Sequence, residues 1–136
     1  MPAGDATIAR RRIVVMDDDR EIRDLLAELL AALGFEVRAL ATVTDPEAIA
    51  VLRPAAVITD LRVAGHEPHI AHLERMRAHA DLAATPILAC SGDVFALRRH
   101  RRRLKELKVA TLSRPFAVGD LERRIRQLLA GSSSSP

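Results

Sequence analysis

The stretch Ile13-Val14-Val15-Met16-Asp17-Asp18-Asp19 decides how the chain is read: four apolar residues, three of them β-branched, run straight into three acids. An unbroken apolar run of this length fits a strand covered on both faces, as in a parallel sheet. A second run, Ala55-Ala56-Val57-Ile58-Thr59, ends on Asp60. In an open parallel sheet ligands bind beyond the carboxyl ends of the strands, so acids released there converge although far apart in sequence. Two carboxylates about 4 Å apart repel by roughly 4 kcal/mol at an effective dielectric near 20. A hard, oxygen-seeking divalent cation such as Mg²⁺ removes that penalty, which makes Asp17, Asp18 and Asp60 candidate metal ligands. The bland alternative is a set of solvated strand-end acids that cap helices, the role expected of Asp19.

Working outward, Ile22, Leu25, Leu26, Leu29, Leu30 and Leu33 follow the spacing of an amphipathic helix that Gly34 stops. Residues 35–40 read as a strand. Asp45-Pro46 opens a helix with Ala48, Ile49 and Leu52 inward, and Arg53-Pro54 closes it before the strand that reaches Asp60. A loop over 61–68 leads to a helix over 69–80 with Ile70, Leu73 and Met76 inward. Pro86 introduces a strand over 87–90, closed by Ser91-Gly92. Asp93 is expected to N-cap a helix whose inner face is Val94, Leu97, Leu104 and Leu107, with its arginines outside. A last strand over 109–112 and a last helix over 118–130, through Leu121, Ile125, Leu128 and Leu129, complete the pattern. Five strands alternating with five helices predict an α/β fold: a flavodoxin-like (βα)5 doubly wound parallel sheet of order 2-1-3-4-5.

A length of 136 residues with 49% hydrophobic content fits one domain with a substantial core and leaves no room for a second. We place that domain at 13–130, after a basic lead-in at 1–12 and before a flexible Ser-rich tail or linker at 131–136. The lone cysteine, Cys90, has no partner for an internal disulfide and lies in an apolar run, as a small buried residue would. With no bilayer-length apolar stretch and no signal-peptide pattern at the start, a cytoplasmic protein without a membrane partner is expected. The net charge of +3 is uneven: seven Arg or Lys residues and one acid between Arg98 and Lys108 carry +6, so the remainder carries −3.

Taken together, four stretches resemble the receiver domain of bacterial two-component response regulators over about 13–130. They are Val14-Val15-Met16-Asp17-Asp18-Asp19-Arg20-Glu21-Ile22-Arg23, Val57-Ile58-Thr59-Asp60, Pro86-Ile87-Leu88-Ala89-Cys90-Ser91-Gly92 and Arg114-Pro115-Phe116. The resemblance implies that Asp60 is a phosphoacceptor served by a sensor histidine kinase or phosphotransfer protein. It implies that Asp17 and Asp18, with the backbone carbonyl of Arg62, hold Mg²⁺ beside Asp60, and that Ser91 bonds a phosphoryl oxygen. It also implies a self-phosphorylating signalling domain with no separate enzymatic output, acting through a downstream protein partner. Three departures stand out. Arg114 replaces the family's lysine, Thr111 replaces an aromatic, and the loop Leu61-Arg62-Val63-Ala64-Gly65-His66-Glu67-Pro68 lacks the usual Met-Pro and Asp-Gly.

Alternatives remain open at each feature. Arg114 either serves phosphoryl transfer or only pairs with the acidic rim, its planar fork being no copy of an ammonium. His66, His69 and His72, three apart, invite a metal reading, but no Cys or acid completes a tetrahedral set and solvated histidines are expected. The run containing Arg98, Arg99, Arg101, Arg102 and Lys105 is either a solvated helix face or a surface for an acidic protein partner. Nucleic acid is a weaker third reading, since aromatic interleaving is absent. The rival to the phosphoacceptor is a degenerate, non-phosphorylated receiver acting as an interaction or scaffold module through the Arg-rich helix 98–108.

Overall fold

The computed structural model describes residues 11–41, 45–61 and 70–134. Five strands, β1 (Arg12–Met16), β2 (Glu36–Leu40), β3 (Ala56–Thr59), β4 (Ile87–Ser91) and β5 (Val109–Ser113), form one sheet of order β2-β1-β3-β4-β5. Every pairing is parallel, with Ile13 beside both Val37 and Ala56, Val57 beside Ile87, and Ile87 beside Val109. The expected fold and strand order are therefore those observed.

Alternation along each strand divides the core into two layers. Val14, Met16, Val57, Ile87 and Ala89 point to one face, where they meet Ile49 of α2 (Pro46–Ala50) and Leu73 and Met76 of α3 (Ala71–Ala78). Ala96 of α4 (Val94–Arg99) and Leu104 of α5 (Arg101–Glu106) join that layer. Ile13, Val15, Ile58, Leu88 and Cys90 point to the other face, against Leu26 and Leu30 of α1 (Arg20–Ala32) and Leu121, Ile125 and Leu129 of α6 (Val118–Ser134). Buried on both sides, β1, β3 and β4 need unbroken apolar runs, and this is the pattern that made them legible.

Helix ends follow local chemistry. The Asp19 carboxylate accepts from the Glu21 and Ile22 amides and caps α1. At the far end Gly34, at φ +99°, donates to Ala31 while Phe35 donates to Leu30, the paired bonds of a Schellman turn. Asp93 caps α4 through the Ala96 amide, as expected, whereas Asp45 makes no side-chain cap bond at α2.

Three expectations need correction. The single helix expected after Asp93 is two, broken at His100 (φ −97°, ψ 10°), so six α-helices rather than five, and a short 3-10 turn at Ala80–Leu82, accompany the strands among the described residues. Val94 is not inward: it is 48% exposed, and Ala96 takes the buried place. At 100° per residue Leu104 and Leu107 lie about 60° apart, and Val94 falls roughly 110° from their midline, outside any common stripe. The last helix also runs through Ser134, past the boundary set after Ala130 for a flexible tail over 131–136. No helix among the described residues is long and apolar enough to cross a membrane.

Arg77 fastens the layer that contains α3. Its Nε donates to the Leu107 carbonyl at 2.7 Å, its Nη1 to those of Leu82 (2.9 Å) and Thr85 (2.6 Å), and its Nη2 to that of Lys108 (3.2 Å). One guanidinium thus ties the end of α3 both to the segment that follows it and to the Leu107–Lys108 turn some 30 residues on.

Candidate functional site

Asp17 follows β1 and Asp60 follows β3, and because Met16 pairs with Thr59 the two acids emerge side by side. Both are buried, Asp18 is exposed, and one carboxylate oxygen from each of the three lies within 4.8 Å of the others. Asp17 is further fixed by its own chain: its Oδ1 accepts from the Asp19 amide at 2.9 Å and its carbonyl from Arg23 Nη1 at 2.9 Å. Burial pushes the Asp17 carboxyl above its ordinary value; the Asp19 N–H and Arg114 oppose that shift, while the charges of Asp60 and Asp18 add to it.

Arg114 enters from the loop after β5, where its amide donates to the Ser91 carbonyl and its peptide to Pro115 is cis. Its Nη2 lies 3.1 Å from Asp60 Oδ2 and its Nη1 3.5 Å from Asp17 Oδ2. The fork therefore bridges the two buried acids. Three carboxylates against one guanidinium leave two negative charges in the cluster. An all-oxygen donor set with that deficit fits a hard divalent cation such as Mg²⁺.

Ser91 ends β4, is buried, and accepts the Asp93 amide on Oγ at 3.0 Å. With Asp18, Asp19, Asp60, Gly92, Asp93, Val94, Phe95 and Arg114 it lines an open cleft of about 600 Å³. The predicted residues Asp17, Asp18, Asp60, Ser91 and Arg114 are thus brought together at one rim. Arg62, the remaining expected ligand, lies outside the described residues, as do His66 and His69. Cys90, one position before Ser91, is inert: burial pushes its thiol up to about 12.

Two residues escaped the sequence reading. Phe95, 74% exposed, stands beside the cleft mouth. His72 is not solvated, as had been expected, but 1% exposed. Its Nε2 lies 3.1 Å from the Asp60 carbonyl oxygen and 3.4 Å from Thr59 Oγ1. The signal was present: residue 72 shares a helix face with the inward Leu73 and Met76. Outside the cleft, Arg98, Arg99, Arg101, Arg102 and Lys105 are all exposed, while Arg103 is engaged by Glu74 of α3 at 2.8 Å.

No protein-family model matches the chain. It is 31% identical over 125 residues to the transcriptional regulatory protein GltR of Pseudomonas aeruginosa, an alignment that covers 88% of this chain and 49% of that protein. The chain thus spans about half the length of the curated relative it matches. Among solved structures, a putative response regulator from Chloroflexus aurantiacus superposes with a TM-score of 0.73 at 27% identity, covering 89% of this chain and 98% of that one. The receiver domain of a sensor histidine kinase from Pseudomonas aeruginosa, which has a magnesium ion coordinated in its active-site cleft, superposes with a TM-score of 0.76 at 20% identity. That match covers 90% of this chain and 99% of the other and bears on the fold alone.

Proposed function

The chain is a response regulator receiver domain, and from that premise we propose that Asp60 accepts a phosphoryl group from the phosphohistidine of a sensor histidine kinase or phosphotransfer protein, with Mg²⁺ at the acidic rim. A carboxylate oxygen of Asp60 bonds to phosphorus as the bond from phosphorus to the imidazole nitrogen breaks, and the freed imidazole takes up a proton. The observation that carries this reading is the convergence of Asp17, Asp18 and Asp60 on one cleft that also holds Arg114 and Ser91. Asp17, Asp18 and the Arg62 carbonyl are the residues that would hold the ion, which when bound neutralises charge on the transferring group. The Ser91 hydroxyl, an acceptor toward Asp93, keeps its own proton for a phosphoryl oxygen. In this role the domain catalyses its own phosphorylation in the cytoplasm and passes the signal on by binding.

Intact-mass measurement tests the reading. With Mg²⁺ and a small phosphodonor such as acetyl phosphate, one phosphoryl adduct forms on the wild type and none on Asp60→Asn. An adduct that persists in that variant, or none from any donor or cognate kinase, sinks the proposal. The degenerate, constitutively acting receiver draws support from one observation: the Arg114 fork already compensates part of the charge of Asp17 and Asp60. The same measurement separates the two readings.

For the output we propose the exposed cations Arg98, Arg99, Arg101, Arg102 and Lys105 as the contact surface for an acidic protein partner. They lie on α4 and α5, and α4 begins at Val94 and Phe95 on the wall of the cleft, so the basic surface adjoins Ser91. Phe95 alone offers an exposed aromatic there, which is too little for base stacking and weighs against nucleic acid.

A further inference from the structure

We infer that His72 is a positioning residue that selects which oxygen Asp60 presents to the cleft, an inference that rests on the phosphoacceptor reading of Asp60. The imidazole is buried in the first turn of α3, directly behind the end of β3. A backbone carbonyl can only accept, so the 3.1 Å approach of His72 Nε2 to the Asp60 oxygen requires a proton on Nε2. Thr59 Oγ1 donates to the same oxygen at 3.0 Å. Asp60 lies past the last residue of β3 paired with β4, Thr59 opposite Ala89, and its amide reaches Met16 at a long 3.4 Å. That amide belongs to the preceding peptide; the Asp60 carbonyl belongs to the next one, Asp60–Leu61, which lies beyond the residues of β3 paired with β4, and the two side-chain donors fix it.

The other end of that peptide acts on the carboxylate. The peptide joining Asp60 to Leu61 is planar, so orienting its carbonyl orients its N–H. The Leu61 N–H donates to Asp60 Oδ1 at 2.7 Å, while Oδ2 is the atom that faces Arg114 at 3.1 Å. His72 thus sets the peptide plane, the plane engages Oδ1, and Oδ2 is left toward the cleft as the attacking oxygen. Polarisation along such a chain of hydrogen bonds strengthens each link.

The test compares two substitutions in the full chain. His72→Gln keeps an amide donor at similar reach, and His72→Leu fills the space without a donor. Two quantities are read beside the denaturation midpoint: hydrogen exchange at the Leu61 amide, and the rate of phosphorylation by acetyl phosphate with Mg²⁺. We expect His72→Leu to remain folded, to speed Leu61 exchange at least tenfold, and to slow phosphorylation at least fivefold, since small misplacements at a reacting centre are costly. His72→Gln should restore both to within about threefold of wild type. A folded leucine variant with unchanged exchange and rate, or a glutamine variant no better than leucine, overturns the inference. Should His72→Leu fail to fold, His72→Met carries the same comparison. A wild type that takes up no phosphoryl group refutes the phosphoacceptor reading instead, and Leu61 exchange then decides the clamp by itself.

Discussion

Replacing Arg114 by lysine should tighten Mg²⁺ binding at the acidic rim. The guanidinium lies 3.1 Å from Asp60 and 3.5 Å from Asp17, and its side chain is 19% exposed. At 3.1 Å and an effective dielectric near 20 the bare attraction is about 5 kcal/mol, but most of it is returned as desolvation, and a charge-assisted hydrogen bond is worth roughly 1.5–3 kcal/mol net. A divalent ion entering among the same oxygens must displace or weaken these contacts. Lysine lacks the fork and donates from a single nitrogen, so one of the two contacts is lost in Arg114→Lys. Removing about 1–2 kcal/mol of competition corresponds to roughly 5–30-fold tighter Mg²⁺ binding. With no Trp or Tyr to report binding, titration calorimetry or the amide shifts of Asp17 and Asp60 are the assay, and the phosphorylation rate of Asp60 should rise in parallel. A dissociation constant within twofold of wild type, or weaker, in a lysine variant of equal stability would refute the reasoning and show that the fork serves the chemistry as well as lysine does.

Three further outcomes are expected. Because burial raises the Asp17 carboxyl above its unfolded value, the native state holds that proton more tightly, so its contribution to stability is present below about pH 3.8 and lost as pH rises through the higher folded value. Asp17→Asn should therefore raise the melting temperature at pH 7 and gain nothing over wild type at pH 3, and an unchanged difference between the two pH values would contradict this. Arg77→Met removes a half-buried donor from four backbone carbonyls and should cost about 2–4 kcal/mol in denaturant titrations, whereas a loss below about 1 kcal/mol would mark those bonds as dispensable. Charge reversal at Arg98, Arg99, Arg102 and Lys105 to glutamate should abolish partner binding while the fold survives, and wild-type association should weaken steeply with salt; binding indifferent to both returns these residues to a solvated face.

How much of this was legible follows from what kind of partner each residue has. The strands and the acids at their ends could be read because a doubly covered parallel strand must be apolar throughout and can turn polar only where it leaves the sheet. Asp19, Asp93 and Gly34 could be read because each acts on backbone within a few residues of itself. Arg77 and His72 could not. Their partners are backbone carbonyls of turns and strand ends, which carry no side-chain identity, so on paper Arg77 is one more helix cation and His72 one of three spaced histidines. Val94 was misplaced because its hydrophobicity outweighed its angle on the helix. The extension of α6 beyond Ala130 gave no warning, since an apolar stripe marks what a helix buries and not where its backbone bonds stop.

Among the described residues the order of the strands leaves β2 and β5 as the two borders of the sheet, and border strands offer backbone groups for pairing with another chain. On β2 the border is guarded by side chains. Glu36 is bonded to Arg12 at 2.7 Å and paired with Arg38 at 3.3 Å, so an intruding strand would have to disturb a fixed cluster of charge. On β5 the guard stands beside the strand. The α4 and α5 segments pack near it and carry six exposed cations, of which Arg103 alone is paired with acids among the described residues, so two copies approaching border to border along β5 would bring like charge together. The basic helices thereby discourage sheet-to-sheet aggregation, a protection that weakens as salt rises and vanishes when an acidic surface neutralises them.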